Sequence, residues 1–146
     1  MSSFRVTVEL NASSSETWEY FFNQLNNWWP NTFFTSQKTK RFIIETIIGG
    51  KVYEDFGEGY GLIWGEVIGV DYPNSVQIKG QLTKEFGGPC ISFEKFSFEE
   101  TSSGCTMSYE VDLIGKNDDS TVASLEKGWK EILQVHFINY CKKEDN

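Results

Sequence analysis

Histidine is nearly absent from this sequence, and its scarcity excludes a good deal of chemistry. His136 is the only one in 146 residues, so multi-histidine metal sites are ruled out. Cysteine is sparse as well. Cys90, Cys105 and Cys141 are odd in number, widely spaced and form no C-x-x-C pair, which argues against a disulfide framework and a zinc site. Basic residues are outnumbered, 13 Lys and Arg against 21 Asp and Glu, for a net charge of -8 and a pI near 4.7. The densest basic runs, Lys38-Thr39-Lys40-Arg41 and Lys142-Lys143, are too short for the cationic face that nucleic-acid backbone demands. The acidic excess reads first as solubility. No stretch approaches the ~18 apolar residues of a membrane span; the longest, Phe42 to Ile48, is interrupted by Glu45 and Thr46. Met1 to Val8 has no charged start leading into an apolar run, so no signal peptide is visible. The expectation is a soluble protein of a reducing cytoplasm, with no metal, no cofactor, and neither nucleic acid nor membrane as partner. A homodimer stays open.

What the chain has in plenty is aromatic surface. Twelve Phe, six Tyr and five Trp make up 16% of it. A length of 146 residues fits one domain spanning 1–146. A domain of that size buries enough surface to hold a core without staples. So many rings either pack solid or line a cavity, and composition does not choose between the two.

The pattern along the chain is α+β. Phe4, Val6, Val8 and Leu10 alternate with polar residues as a half-buried strand. Ser13-Ser14-Ser15-Glu16 is a capping box, and Trp18, Phe21, Phe22 and Leu25 follow at helical spacing. Asn26-Asn27 is expected to break that helix, and Trp28-Trp29-Pro30 to form a second short one that proline ends. From Arg41 the period becomes two. Strands are expected over Arg41 to Ile48, Lys51 to Phe56, Leu62 to Val70, Val76 to Leu82, Pro89 to Glu99 and Cys105 to Leu113, with Gly49-Gly50 as a hairpin turn. Ile91 and Phe93 occupy odd positions while Phe96 and Phe98 occupy even ones. That conflict predicts either a β-bulge near Glu94-Lys95 or a strand partly covered on both faces. Asn117-Asp118-Asp119-Ser120 caps a final helix of roughly 23 residues carrying an apolar face from Val122 to Tyr140.

One strand, two short helices, six strands and a long helix is the order of the helix-grip fold. In it a curved antiparallel sheet of six to seven strands wraps a long C-terminal helix. Ser13 to Trp18, Trp28-Trp29-Pro30, Gly49-Gly50-Lys51-Val52-Tyr53-Glu54, Trp64-Gly65-Glu66-Val67, Gly104-Cys105-Thr106 and Gly128-Trp129 stand in the order of signature segments. Together they resemble the START-like (SRPBCC) superfamily. The nearest branch is the one named for the activator of the 90-kDa heat-shock chaperone's ATPase. The resemblance covers about Val6 to Tyr140 and implies a cavity between sheet and long helix. It also implies lining residues: Trp64, Met107, Tyr109, Trp129, Leu133 and His136, with Phe33 and Phe34 at the mouth.

No strong catalytic motif is present. Glu54 and Glu66 sit within apolar strand patterns, Glu54 in parity with Val52 and Phe56, and Glu66 with Trp64 and Ile68. If they face inward, each is a candidate acid or base; if outward, each pairs with Lys51 or Lys79. His136 is the third candidate. Arg41 and Glu45 would share a strand face as an ion pair. Three functions stay open: a binder of a small apolar, aromatic or lipid-like ligand, a cyclase- or aromatase-like enzyme using a cavity carboxylate, and a chaperone-interacting module. Fold does not decide among them.

Overall fold

The computed structural model describes residues 2–145, and its framework is one seven-stranded antiparallel sheet. The strands are β1 (Ser2–Leu10), β2 (Arg41–Ile44), β3 (Lys51–Gly57), β4 (Tyr60–Asp71), β5 (Ser75–Leu82), β6 (Cys90–Thr101) and β7 (Gly104–Gly115). Their order is β1-β7-β6-β5-β4-β3-β2. The chain therefore meanders from β2 to β7, and β1 pairs with the last strand, Val6 opposite Tyr109. The sheet curls into a half-barrel around the C-terminal helix, as the element order predicts.

That helix is continuous but not uniform. It runs through α3 (Asp119–Glu131), a π-helical segment (Ile132–Phe137) and α4 (Ile138–Glu144). Asp118 caps it, accepting the Thr121 amide at 2.8 Å. Its two halves sit differently. No residue of α3 is fully buried, whereas Ile132, Leu133, Phe137 and Cys141 are.

The expected capping box is present, with Ser13 and Glu16 bonding reciprocally at the start of α1 (Ser14–Trp18). The chain continues through a π-helical turn (Glu19–Asn23) and breaks at Gln24, before α2 (Leu25–Trp28). Asn26-Asn27 does not break the helix. The Asn26 side chain instead bonds both backbone groups of Phe42, at 3.0 Å each, which docks α2 on β2. Behind these helices Phe21 meets Phe96 and Phe137 at centroid distances of 5.0 and 5.1 Å. Trp18, Phe22 and Trp28 are buried beside them. These rings pack solid.

Two strand expectations need correction. β2 stops at Ile44, because Glu45 turns back onto Lys51: its amide donates to the Lys51 carbonyl and its carboxylate accepts the Lys51 amide. Ile47 and Ile48 are left exposed in the turn. A Cβ on Gly50 would stand 2.2 Å from the Glu45 carbonyl oxygen, so only glycine closes this turn. The second correction concerns β6. Its register runs unbroken against both β5 and β7, so no bulge lies at Glu94-Lys95. Even positions face inward and Ile91 and Phe93 lie on the outer face, each 42% exposed. The register shifts fall instead in the pairing of β3 with β4 and of β4 with β5.

Candidate functional site

The concave face of the sheet and α3 do not meet everywhere. Between them lies a cavity of about 290 Å³, at the lower edge of the ~300–1,000 Å³ of small-molecule sites. Rings dominate its wall: Trp29 and Phe33 from the segment after α2, Phe42, Trp64, Phe86, Tyr109 and Trp129. Trp129 reaches down from α3 to within 4.1 Å of the Tyr109 ring, and Trp64 meets Phe86 edge-on at 4.7 Å. Thr35 and Gln81 belong to the wall and are also exposed, so the cavity opens to the surface beside them. Phe33 crosses that side and leans on α3. A Cβ at Gly128 would lie 3.3 Å from its ring.

Two glutamates interrupt the apolar wall. Glu54 projects inward from β3 and is 3% exposed. Its carboxylate accepts four bonds: the Thr35 amide at 2.8 Å and the Thr39 hydroxyl at 2.7 Å on Oε1, the Thr35 hydroxyl at 2.7 Å and the Trp64 indole at 2.8 Å on Oε2. A carboxylate offers about four lone-pair sites. Glu54 has none left, and its work is to tie the 35–39 segment and the Trp64 ring to β3.

Glu94, on β6, is placed differently. It accepts the Tyr109 hydroxyl on Oε1 and the Ser92 hydroxyl, at 2.7 Å, on Oε2. About half of its lone-pair capacity is free, and it is half-buried in the cavity wall. Burial pushes its carboxyl above the ordinary carboxylate range, with the two hydroxyl bonds pulling the other way. Tyr109 is driven well above the usual phenol range, first by burial and then by the neighbouring carboxylate. Room for Glu94 comes from the adjacent strand. A Cβ on Gly80 would stand 2.5 Å from Glu94 Oε2 and from Ser92 Oγ.

The other sequence candidates scatter. Trp64, Tyr109, Trp129 and Phe33 are in the wall. Met107 and Leu133 are fully buried in the packed core outside it, and Phe34 packs against that core. His136 lies outside the wall, its side chain 35% exposed and 3.9 Å from Glu131. Glu66 is exposed and paired with Lys51, whose hydrogen bond and charge hold its carboxyl below the ordinary range. The parity that placed Glu66 with Trp64 fails at the β3–β4 register shift: Lys51 faces Glu66 and Val52 faces Gly65, but Tyr53 faces Ile63. Trp64 is the extra residue, and it points inward while Glu66 points out. Arg41 pairs with Asp55 at 3.0 Å, not with Glu45.

Ser92 and Glu94 were missed by sequence reasoning, although a signal existed. They continue the even, inward register of Phe96 and Phe98, and two polar residues on an inward face mark a wall that is not closed. The three cysteines are free and buried, and burial pushes their thiols up, Cys141 to about 12. No metal-binding cluster and no helix long and apolar enough to cross a membrane occurs among the described residues.

No family model and no curated protein matches the chain. Solved structures do. An AHSA1-like protein from Aeromonas hydrophila is 14% identical with a TM-score of 0.68, over 99% of this chain and 94% of that one. An uncharacterised protein from Rhizobium leguminosarum is 11% identical with a TM-score of 0.68, over 97% and 95%. DynU16, from the dynemicin biosynthetic locus, is 18% identical with a TM-score of 0.67. The match takes in 97% of this chain but only 46% of DynU16. At such identities the likeness concerns backbone alone, and what it establishes is that the chain has the START-like (SRPBCC) fold.

Proposed function

We infer that the protein binds one compact, largely apolar small molecule in the cavity between the sheet and α3. The observation that carries this reading is the partly satisfied Glu94 in an otherwise ring-lined wall. A pocket that only awaited better packing has no use for a buried carboxyl with lone pairs to spare, since burying a polar group is costly. A pocket that orients a ligand needs one or two such groups in an apolar surround. At about 290 Å³ the space suits a molecule of one or two rings rather than a full acyl chain. Should the bound molecule be transformed as well as held, Glu94 and Tyr109 are the groups that face it, because Glu54 has no lone pair to offer.

Thermal-shift measurement against a panel of one- and two-ring compounds, with native mass spectrometry of the purified protein, tests the reading. At least one compound should raise Tm. Val111→Phe, which puts a ring into the cavity wall, should abolish the shift while the fold is retained. A panel that moves Tm equally in both proteins counts against the cavity as the binding site.

A further inference from the structure

The charge around the cavity is not balanced. Two carboxylates enter its wall, and among the described residues no ion pair reaches either of them. Their partners are two threonines and an indole at Glu54, and a phenol and a serine at Glu94. All of these are neutral donors. An acid buried in a protein is ordinarily matched by a cation or by enough donors. Glu54 has enough donors. Glu94 has two, and it lines the cavity with lone pairs to spare.

The wall itself favours positive charge. Trp29, Trp64, Trp129 and Tyr109 line the same space, and a cation seated over the face of such a ring is attracted by its quadrupole. The net charge of -8 adds a long-range field that draws cations toward the molecule and repels anions. Hydrogen bonding narrows the class further. Glu94 can use N–H donors, so an ammonium with hydrogens suits it better than a quaternary one.

We propose that the ligand of this cavity is a compact hydrophobic amine bound in its protonated form, with its ammonium on the free lone pairs of Glu94 and its apolar body between Trp129 and Trp64. This deepens the binding function inferred above and rests on it. The burial that lifts the Glu94 carboxyl in the empty cavity is consistent with a site missing its cation. Glu54, saturated by its four donors, contributes negative potential and holds the Trp64 ring in place.

The experiment is calorimetric titration of the full chain with three near-isosteric probes: 2-phenylethylamine, 2-phenylethanol and phenylacetate. The amine should bind about tenfold or more tightly than the alcohol, and phenylacetate should bind weakest. Glu94→Gln, close to isosteric, should bring amine and alcohol to within a fewfold of each other. Glu66→Gln, which removes a carboxylate on the exposed outer face instead, should retain the preference for the amine. Circular dichroism checks that both variants are folded. Equal or tighter binding of the alcohol, or an amine preference unchanged in Glu94→Gln, overturns the charge assignment and leaves the cavity as a binding site. If none of the three probes binds, both the amine and the compact-ligand reading fall.

Discussion

Glu54 and Glu94 stand on different walls of one cavity, yet the chain treats them in opposite ways. Around Glu54 the structure spends two threonine hydroxyls, an amide and an indole, all between 2.7 and 2.8 Å. Around Glu94 it places two hydroxyls and leaves open space. Glu54 is buried and Glu94 half-buried against the cavity, yet what separates them most is the supply of donors. A carboxylate saturated with donors is a fastener. One left partly unsatisfied in an apolar wall is a point of recognition.

The comparison can be broken most forcefully at Glu54. Glu54→Gln replaces one acceptor oxygen with an NH₂ group; the threonine hydroxyl on that side can turn to accept from it, but the N–H beside it, the Thr35 amide or the Trp64 indole, loses its partner. The cost should be about 3 kcal/mol, read as a fall in the denaturant midpoint, with greater protease sensitivity in the 35–39 segment. A loss below about 1 kcal/mol would mean the four bonds do not act together. Gly80→Ala comes next. Its Cβ would overlap Glu94 Oε2 and Ser92 Oγ and lie 2.9 Å from the Trp64 carbonyl oxygen. The carboxylate must move, at about 1–3 kcal/mol, and equilibrium unfolding should show that loss together with weakened ligand binding.

The smallest effect distinguishes the two acids by sign. Because the folded-state carboxyl of Glu94 is raised, the folded protein holds that proton more tightly than the unfolded chain does. The stability this contributes is complete below the ordinary carboxylate range, about pH 4, and is lost as pH rises through the folded value. Glu94→Gln does not titrate. It should match the wild type in acid and have the higher Tm at pH 7, opposite in sign to Glu54→Gln. Glu66→Gln, on the exposed face, should leave Tm unmoved in acid and lower it only slightly at pH 7, where its carboxyl is ionised against Lys51.

Much of the fold was legible because its signals are local. The alternation in β1, the Ser13 capping box and the Asp118 cap each depend on neighbours a few residues away. The site was legible only in part, because what decides it is register between strands. Trp64 and Glu66 are two residues apart and by parity share a face. Trp64 is itself the extra residue of β4 and so leaves the face of Glu66, and nothing within Trp64-Gly65-Glu66-Val67 announces it. The Ile91/Phe93 conflict does mark a real irregularity of pattern, but its cause is an apolar outer surface, not a bulge. Glu94 stayed hidden behind that misreading.

The C-terminal helix carries a consequence of its own. Its first half, α3, has no fully buried residue and stands over empty space, while the second half is nailed to the core by Phe137 and Cys141. Opening free energies track local burial, so they differ along a single helix, low in α3 and highest at Ile132–Phe137. Amides of α3 will therefore exchange with solvent long before those of Ile132–Phe137. A molecule seated beneath Trp129 would slow the first half alone, turning the helix into its own gauge of occupancy.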